Sequence, residues 1–268
     1  MENKYLHGYS NQEQERLVQQ ADILSEYIYP NFDFSEVKTL LELGCGSGGQ
    51  TLQLLKRNPH LQITGLDISS DQIKQAKHNF SLLPQWDKNV KWICGSLENI
   101  HFDEKMDAAF ICWVLEHVSD PLELLKQAKN AIKPGGKIFI TEVYNRSFDY
   151  APRLDSFDTY YKAYNQLQID LGGNPHIGPV LGNLLIDAGF KNVQIHPSIN
   201  FHDKSSPQTR NFMFAYWFDL MKSAKDQLLN HNYLTLSEIE VFEKEYVEIY
   251  KDQNSFFYYC AFQAIANV

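Results

Sequence analysis

A chain of 268 residues is long enough for a sizeable buried core, and its 44% hydrophobic and 21% charged content is ordinary for a soluble globular protein. The formal charge of −9 argues against a broad polyanion-binding face, because nucleic-acid affinity rests largely on Lys and Arg neutralising phosphates. A membrane anchor, a disulfide framework and a metal site are disfavoured together: no apolar run nears the roughly 20 residues of a span, the four cysteines form no C-x-x-C pair, and the nine histidines show no H-E-x-x-H spacing.

The N-terminus lacks a basic segment followed by an apolar core, so a cytoplasmic location is the default. Residues 10–29 place Leu17, Ala21, Leu24 and Ile28 at helical spacing, which predicts a cap helix over the mouth of a sheet. From Lys38 to Val143 short apolar runs alternate with helical patterns, the signature of a parallel α/β sheet. Strands are expected near 39–44, 62–67, 90–94, 107–113 and 137–143, with helices at about 48–57, 69–80 and 120–132. Ser119-Asp120-Pro121 caps the last of these helices, and Lys133-Pro134-Gly135-Gly136 stops it and turns the chain into the next strand.

Beyond that strand lies a tyrosine-rich stretch (Tyr144, Tyr150, Tyr160, Tyr161, Tyr164) of partly helical pattern, then a helix at 177–188 ending at Gly189 and a sixth strand from Lys191 to Asn200. Residues 207–251 are again helical, and the Phe- and Tyr-rich segment from Ser255 to Ile265 fits a closing strand. Two helical insertions on one sheet read as a lid.

The densest chemistry lies in Leu41-Glu42-Leu43-Gly44-Cys45-Gly46-Ser47-Gly48-Gly49, followed by Gly65-Leu66-Asp67-Ile68. An apolar strand runs into glycines that let the backbone turn and approach a ligand, and a second strand ends in a carboxylate placed to accept ribose hydroxyls. Gly44, Gly46 and Gly49 also satisfy the dinucleotide pattern G-x-G-x-x-G, which leaves a nicotinamide-dependent oxidoreductase as an alternative. Glu42 argues against it, because a carboxylate just upstream of the loop is poorly placed beside pyrophosphate yet suits an ammonium or an ordered water network.

These segments, with Met106-Asp107-Ala108-Ala109-Phe110, Leu115-Glu116-His117-Val118 and Lys133-Pro134-Gly135-Gly136, resemble those of class I S-adenosylmethionine-dependent methyltransferases, strongly over 38–143 and weakly beyond. Tyr5 to Ser10 and Gly178 to Phe190 also resemble a small bacterial and archaeal branch of unassigned substrate. The resemblance implies a Rossmann-like α/β fold with a seven-stranded, mostly parallel sheet of order 3-2-1-4-5-7-6, its last strand antiparallel, bearing a helical N-terminal cap and lid insertions. The chain then divides, within a single domain 1–268, into a cap (1–37), a cofactor-binding core (38–143), lid segments (144–190 and 202–254) and closing strands (191–201 and 255–266).

It further implies that Gly44, Cys45 and Gly46 pass under the methionine part of S-adenosylmethionine, with Glu42 close by and Asp67 on the ribose. Ile68 lies against the adenine face, Ser96 and Leu97 at its edge, and the Cys112 carbonyl at the ammonium. Ser96 departs from the Asp common at that position. Tyr9 is a candidate cap over the cofactor. Because the donor is intrinsically reactive, the protein mainly aligns an acceptor and excludes water; a base is needed only if the acceptor must lose a proton. His117 and Glu142 are the candidates, each weighed against a purely structural role.

The lid aromatics Tyr160, Tyr161, Tyr164, Phe214, Tyr216 and Trp217 are expected to be mostly core, with an acceptor pocket or a cage for a cationic amine as the other reading. The expected reaction is methyl transfer to O, N or S of a small molecule. Methylation of tRNA or protein, or a cofactor-sensing module without transfer, are the alternatives. The aromatic closing strand and the acidic helical run from Glu238 to Lys251 could form a homodimer face.

Overall fold

The computed structural model describes residues 21, 24–96 and 105–268. Five parallel strands form the first part of its sheet: β1 (Thr39–Leu43), β2 (Gln62–Asp67), β3 (Val90–Cys94), β4 (Met106–Cys112) and β5 (Ile132–Glu142). The connecting helices include α2 (Gly49–Arg57), α3 (Ser70–Ser81) and α4 (Pro121–Ala131); a short α1 (Ser25–Ile28) precedes the sheet. Leu40, Ala108, Phe110 and Ile138 are wholly buried, which matches the continuous apolar runs of strands covered on both faces.

The second part is antiparallel. Strand β8 (Phe256–Asn267) pairs with β5 along one edge and with β7 (Lys191–His202) along the other. The seven strands therefore run β3-β2-β1-β4-β5-β8-β7, which is the expected order with β8 as the antiparallel member. An eighth strand, β6 (Asp149–Ala151), continues the edge taken by β5 and pairs with Phe256 to Tyr258. It is too short to carry an alternation that a sequence would show.

Local signals set most boundaries. Ser69 caps α3 by accepting the Gln72 N–H, and Asp120 caps α4 by accepting the Glu123 N–H ahead of Pro121. At Lys133 to Gly136 the turn expected before the strand is instead a register shift inside β5, where Ile132 already pairs with Met106 and Lys137 resumes opposite Ala108. A Cβ on Gly136 would lie 2.4 Å from the Asp107 carbonyl oxygen, and Lys133 Nζ reaches Asp107 Oδ1 at 2.6 Å. Glycine and the ion pair together let β5 bulge outward and rejoin β4 in the same parallel sense.

Most of the expected cap, residues 10–20, lies outside the described residues. Its end, α1, is fixed to the sheet: Ser198 and Gln263 donate to the Tyr27 carbonyl, while Thr141 and Gln263 donate to that of Ile28. The lid contributes α5 (Asp155–Asp170), α6 (Leu181–Asp187), α7 (Pro207–Ser223), α8 (Lys225–Asn230) and α9 (Leu236–Lys251). Phe148, Phe157, Trp217, Phe242, Tyr246 and Phe257 interlock beneath these helices, with Trp217 stacked on Phe148 at 4.9 Å. The lid thus shares its core with β8 and is continuous with the sheet. Among the described residues no helix is long and apolar enough to cross a membrane.

Candidate active site

A cavity of about 680 Å³ opens at the carboxyl ends of β1, β2 and β4 and runs beneath the lid, within the roughly 300–1,000 Å³ typical of small-ligand sites. Open parallel sheets place ligands there because the strand order reverses and the loops diverge. Gly44, Cys45, Gly46 and Ser47 form one wall. Gly44 sits at φ +68°, and a Cβ on it would come within 2.4 Å of Val114 Cγ2, so the β1 loop and the loop after β4 close on each other only without a side chain there.

Asp67 ends β2 against this wall. Its Oδ2 accepts the Gly46 N–H at 2.9 Å and its Oδ1 accepts the Ser69 N–H at 2.8 Å, which fixes the carboxylate and leaves each oxygen further acceptor capacity. Burial raises its pKa, and the two N–H bonds oppose that rise. Ile68 is 74% exposed at the mouth, an apolar side chain left open beside a polar one. Ser96 also lines the cavity. Tyr9 and Leu97 lie outside the described residues.

Glu42 stands behind the loop and is not among the lining residues. Its Oε2 accepts the Thr51 hydroxyl at 2.6 Å, it is 2% exposed, and desolvation lifts its pKa to about 8. The reason is the strand period: Leu43 and Glu42 face opposite sides of β1, so Glu42 points toward α2.

Glu142 is likewise turned away. Its Oε1 accepts the N–H groups of Val114 and Leu115 at 2.8 and 2.6 Å, holding the loop after β4 in place, and it is wholly buried outside the cavity lining. Desolvation and the neighbouring Glu116 charge raise its pKa. Cys112 lines the cavity with a thiol pushed well above its ordinary range by burial, which makes it a poor nucleophile.

His117 also lines the cavity, in the turn Leu115–His117. Gln168 Nε2 lies 3.5 Å from its Nδ1, and Glu116 Oε1 lies 3.7 Å from its Nε2. Trp113, beside it, holds φ +55°, a costly conformation for a bulky residue and a mark of constraint where the loop turns into the cavity.

The lid forms the far wall. Tyr161, Tyr164, Tyr216, Trp217 and Tyr259 line it, whereas Tyr160 and Phe214 are buried in the aromatic core. The site residues without a sequence signal are Gln72, Asn145, Ser198 and Asn200, all lining the cavity. In β7 the polar Ser198 and Asn200 are buried while Ile199 and Phe201 are exposed, the reverse of the usual alternation, so patterning points the wrong way there.

A donor nucleoside fits the sheet end of this cavity on the geometry alone. Gly44 leaves no room for a side chain, Asp67 is pre-positioned, and the buried Gln72 Oε1, 4.0 Å from where a Cβ on Gly46 would stand, has no hydrogen-bond partner among the described residues. Among those residues no group of three His, Cys, Asp or Glu could hold a metal ion.

Comparison with known proteins agrees. Residues 41–140 match the methyltransferase-domain family and so carry a class I S-adenosylmethionine-dependent methyltransferase domain. The ubiquinone biosynthesis O-methyltransferase of Coxiella burnetii is 34% identical over 112 residues, 41% of this chain and 45% of that protein. The tRNA U34 carboxymethyltransferase of Campylobacter curvus is 31% identical over 109 residues, 40% of this chain and 35% of its own length. The chain thus spans under half the length of these curated relatives. Among solved structures, phosphoethanolamine N-methyltransferase 2 of Haemonchus contortus, bound to S-adenosylhomocysteine, superposes with a TM-score of 0.53 at 17% identity, covering 93% of this chain and 52% of that one, a likeness of fold.

Proposed function

We propose that the chain transfers a methyl group from S-adenosylmethionine to an O, N or S atom of a small molecule. The observation that carries this reading is one continuous cavity joining the glycine wall and Asp67 to a lid whose inner residues are buried. A donor at one end and an acceptor at the other would meet within this one cavity, under the lid.

S-adenosylmethionine supplies an electrophilic methyl on a sulfonium. The protein's part is to hold and align. The Gly44 to Gly46 backbone cradles the methionine portion, Asp67 accepts the ribose hydroxyls, and Ile68 and Ser96 meet the adenine; the Cys112 carbonyl takes the ammonium. Glu42 acts through the loop, by tying β1 to α2 through Thr51. Glu142 is a positioning residue, because its Oε1 accepts two backbone N–H groups and the side chain, whose Oε2 is buried without a partner among the described residues, stands outside the cavity lining. The proton of a hydroxyl or amine acceptor is assigned to His117, a reading supported by its position in the cavity lining.

A tRNA or protein acceptor is the second reading, favoured by the Campylobacter relative. The absence of Lys and Arg from the described lining residues supports the small-molecule reading, since a polyanion would need cations at the mouth. The test starts with calorimetric titration of S-adenosylhomocysteine against NADH. The protein is then incubated with methyl-labelled S-adenosylmethionine and separated small-metabolite, tRNA and protein fractions. Label in the small-metabolite fraction is the expected result; label in tRNA or protein alone overturns the acceptor class, and NADH binding alone overturns the donor. Donor binding without transfer to any fraction would identify a sensing module.

A further inference from the structure

The lining of the cavity narrows the acceptor further, on the basis of the reading just given. Among the described residues the cavity is lined by four carboxylates (Asp67, Glu116, Asp120 and Glu123) and by no Lys or Arg. An acceptor carrying a phosphate or carboxylate would enter a site with negative groups and no cation to receive it.

Most polar groups of the lid wall are spent within the protein. Tyr161 and Tyr259 donate their hydroxyls to the carbonyl and side-chain oxygens of Asn145, and Asn145 Nδ2 donates to Asn165. The hydroxyls of Ser198 and Thr141 donate to the backbone carbonyls of Tyr27 and Ile28. Two groups of the lid wall break this pattern, and a third donor unpartnered among the described residues, Trp113 Nε1, lines the cavity from the loop after β4. Trp217 Nε1 and Asn200 Oδ1 are buried without a hydrogen-bond partner among the described residues, in side chains 5% and 4% exposed that both line the cavity. Asn200 Nδ2 faces Met213 Sδ at 3.6 Å, which leaves its oxygen as the orphan. Trp217 is clamped between Phe148 at 4.9 Å and Tyr259 at 4.8 Å, so it does not turn to find a partner elsewhere.

Within the lid wall, the unpaired Trp217 donor and the unpaired Asn200 acceptor select chemistry. A hydroxyl can accept from the Trp217 N–H and donate to Asn200 Oδ1. A phosphate or carboxylate can only accept and would set its charge against the Asn200 oxygen; an ammonium can only donate and would leave the indole N–H unpaired. We propose that the lid half of the cavity takes an uncharged, largely apolar or aromatic acceptor bearing a hydroxyl, seated among the rings of Tyr161, Tyr164, Tyr216 and Tyr259 and held by Trp217 and Asn200.

The test uses the full chain saturated with S-adenosylhomocysteine and three probes of one shape: 2-naphthol, 2-naphthyl phosphate and 2-naphthylmethylammonium, titrated calorimetrically. Naphthol should bind at least about tenfold more tightly than either charged probe. Trp217→Phe keeps the ring and removes the N–H; it should weaken naphthol by about 3- to 10-fold while S-adenosylhomocysteine affinity holds as the check on folding. A charged probe that binds as well as naphthol, or naphthol that fails to bind the loaded wild-type protein, overturns the acceptor class. Failure of S-adenosylhomocysteine itself to bind removes the underlying methyl-transfer reading instead, and is seen before any probe is added.

Discussion

Replacing Asp67 by Ala probes the donor end of the cavity. The carboxylate's two oxygens already hold the Gly46 and Ser69 N–H groups at 2.9 and 2.8 Å, so its orientation is settled before any ligand arrives. Hydrogen bonds to a charged group contribute about 1.5–3 kcal/mol each, but the desolvation that raises the Asp67 pKa offsets part of that in the folded protein. A net loss of about 1–3 kcal/mol, roughly 5- to 150-fold in the dissociation constant of S-adenosylhomocysteine, is expected. Asp67→Asn should fall between, since a neutral amide keeps one acceptor oxygen and loses the charge. Isothermal titration calorimetry gives the affinity, and circular dichroism and thermal melts confirm the fold. A folded Ala variant whose affinity lies within twofold of wild type would remove Asp67 from the cofactor site.

Three further perturbations separate the buried groups. Gly44→Ala puts a Cβ 2.4 Å from Val114 Cγ2 at φ +68° and should lower stability by about 1–3 kcal/mol in chemical denaturation while weakening S-adenosylhomocysteine binding; a neutral effect would mean the two loops are not in contact. Glu42→Gln mimics the protonated acid: with a folded pKa of about 8 against an ordinary 4.5, wild-type stability is fully present below the lower value and is lost as pH rises through the higher one. The variant's melting temperature should therefore equal wild type near about pH 4 and exceed it near about pH 9, and a pH-independent difference would contradict the buried, neutral acid. Glu142→Gln keeps an oxygen for the Val114 and Leu115 N–H groups and should retain both stability and methyl transfer, whereas Glu142→Ala orphans two buried donors and should cost about 2–5 kcal/mol; loss of transfer in a folded Gln variant would make Glu142 the base after all.

Much of the cofactor half was legible because its signals are local. Strand β2 spans the expected 62–67 and β3 the expected 90–94, and the cap at Asp120 lies where Ser119-Asp120-Pro121 announces it. Gly44 and Asp67 were readable for the same reason, since a tight turn after a strand and a carboxylate at a strand end are properties of a few consecutive residues. Glu42 and Glu142 are different. Both sit in or at the end of strands beside the site, but which face they present depends on the pleat and on what packs there: Thr51 of α2 for one, the 114–115 backbone for the other.

The lid half of the cavity was legible only as a set of candidate rings, of which Tyr161, Tyr164, Tyr216 and Trp217 line it. Its wall is assembled from β7, α5, α7 and β8, segments up to about a hundred residues apart, and helical spacing cannot tell the core ring of Tyr160 from the cavity ring of Tyr161. Whether Trp217 Nε1 or Asn200 Oδ1 has a partner is settled by distances between elements, which no run of neighbours encodes. The sequence by itself determined the sheet, the glycine turn and the carboxylate at its edge, because each is specified by period and backbone conformation over a few residues. Only the tertiary structure decided which buried acids face away from the cavity and what chemistry the lid leaves unpaired, because both depend on groups brought together by folding.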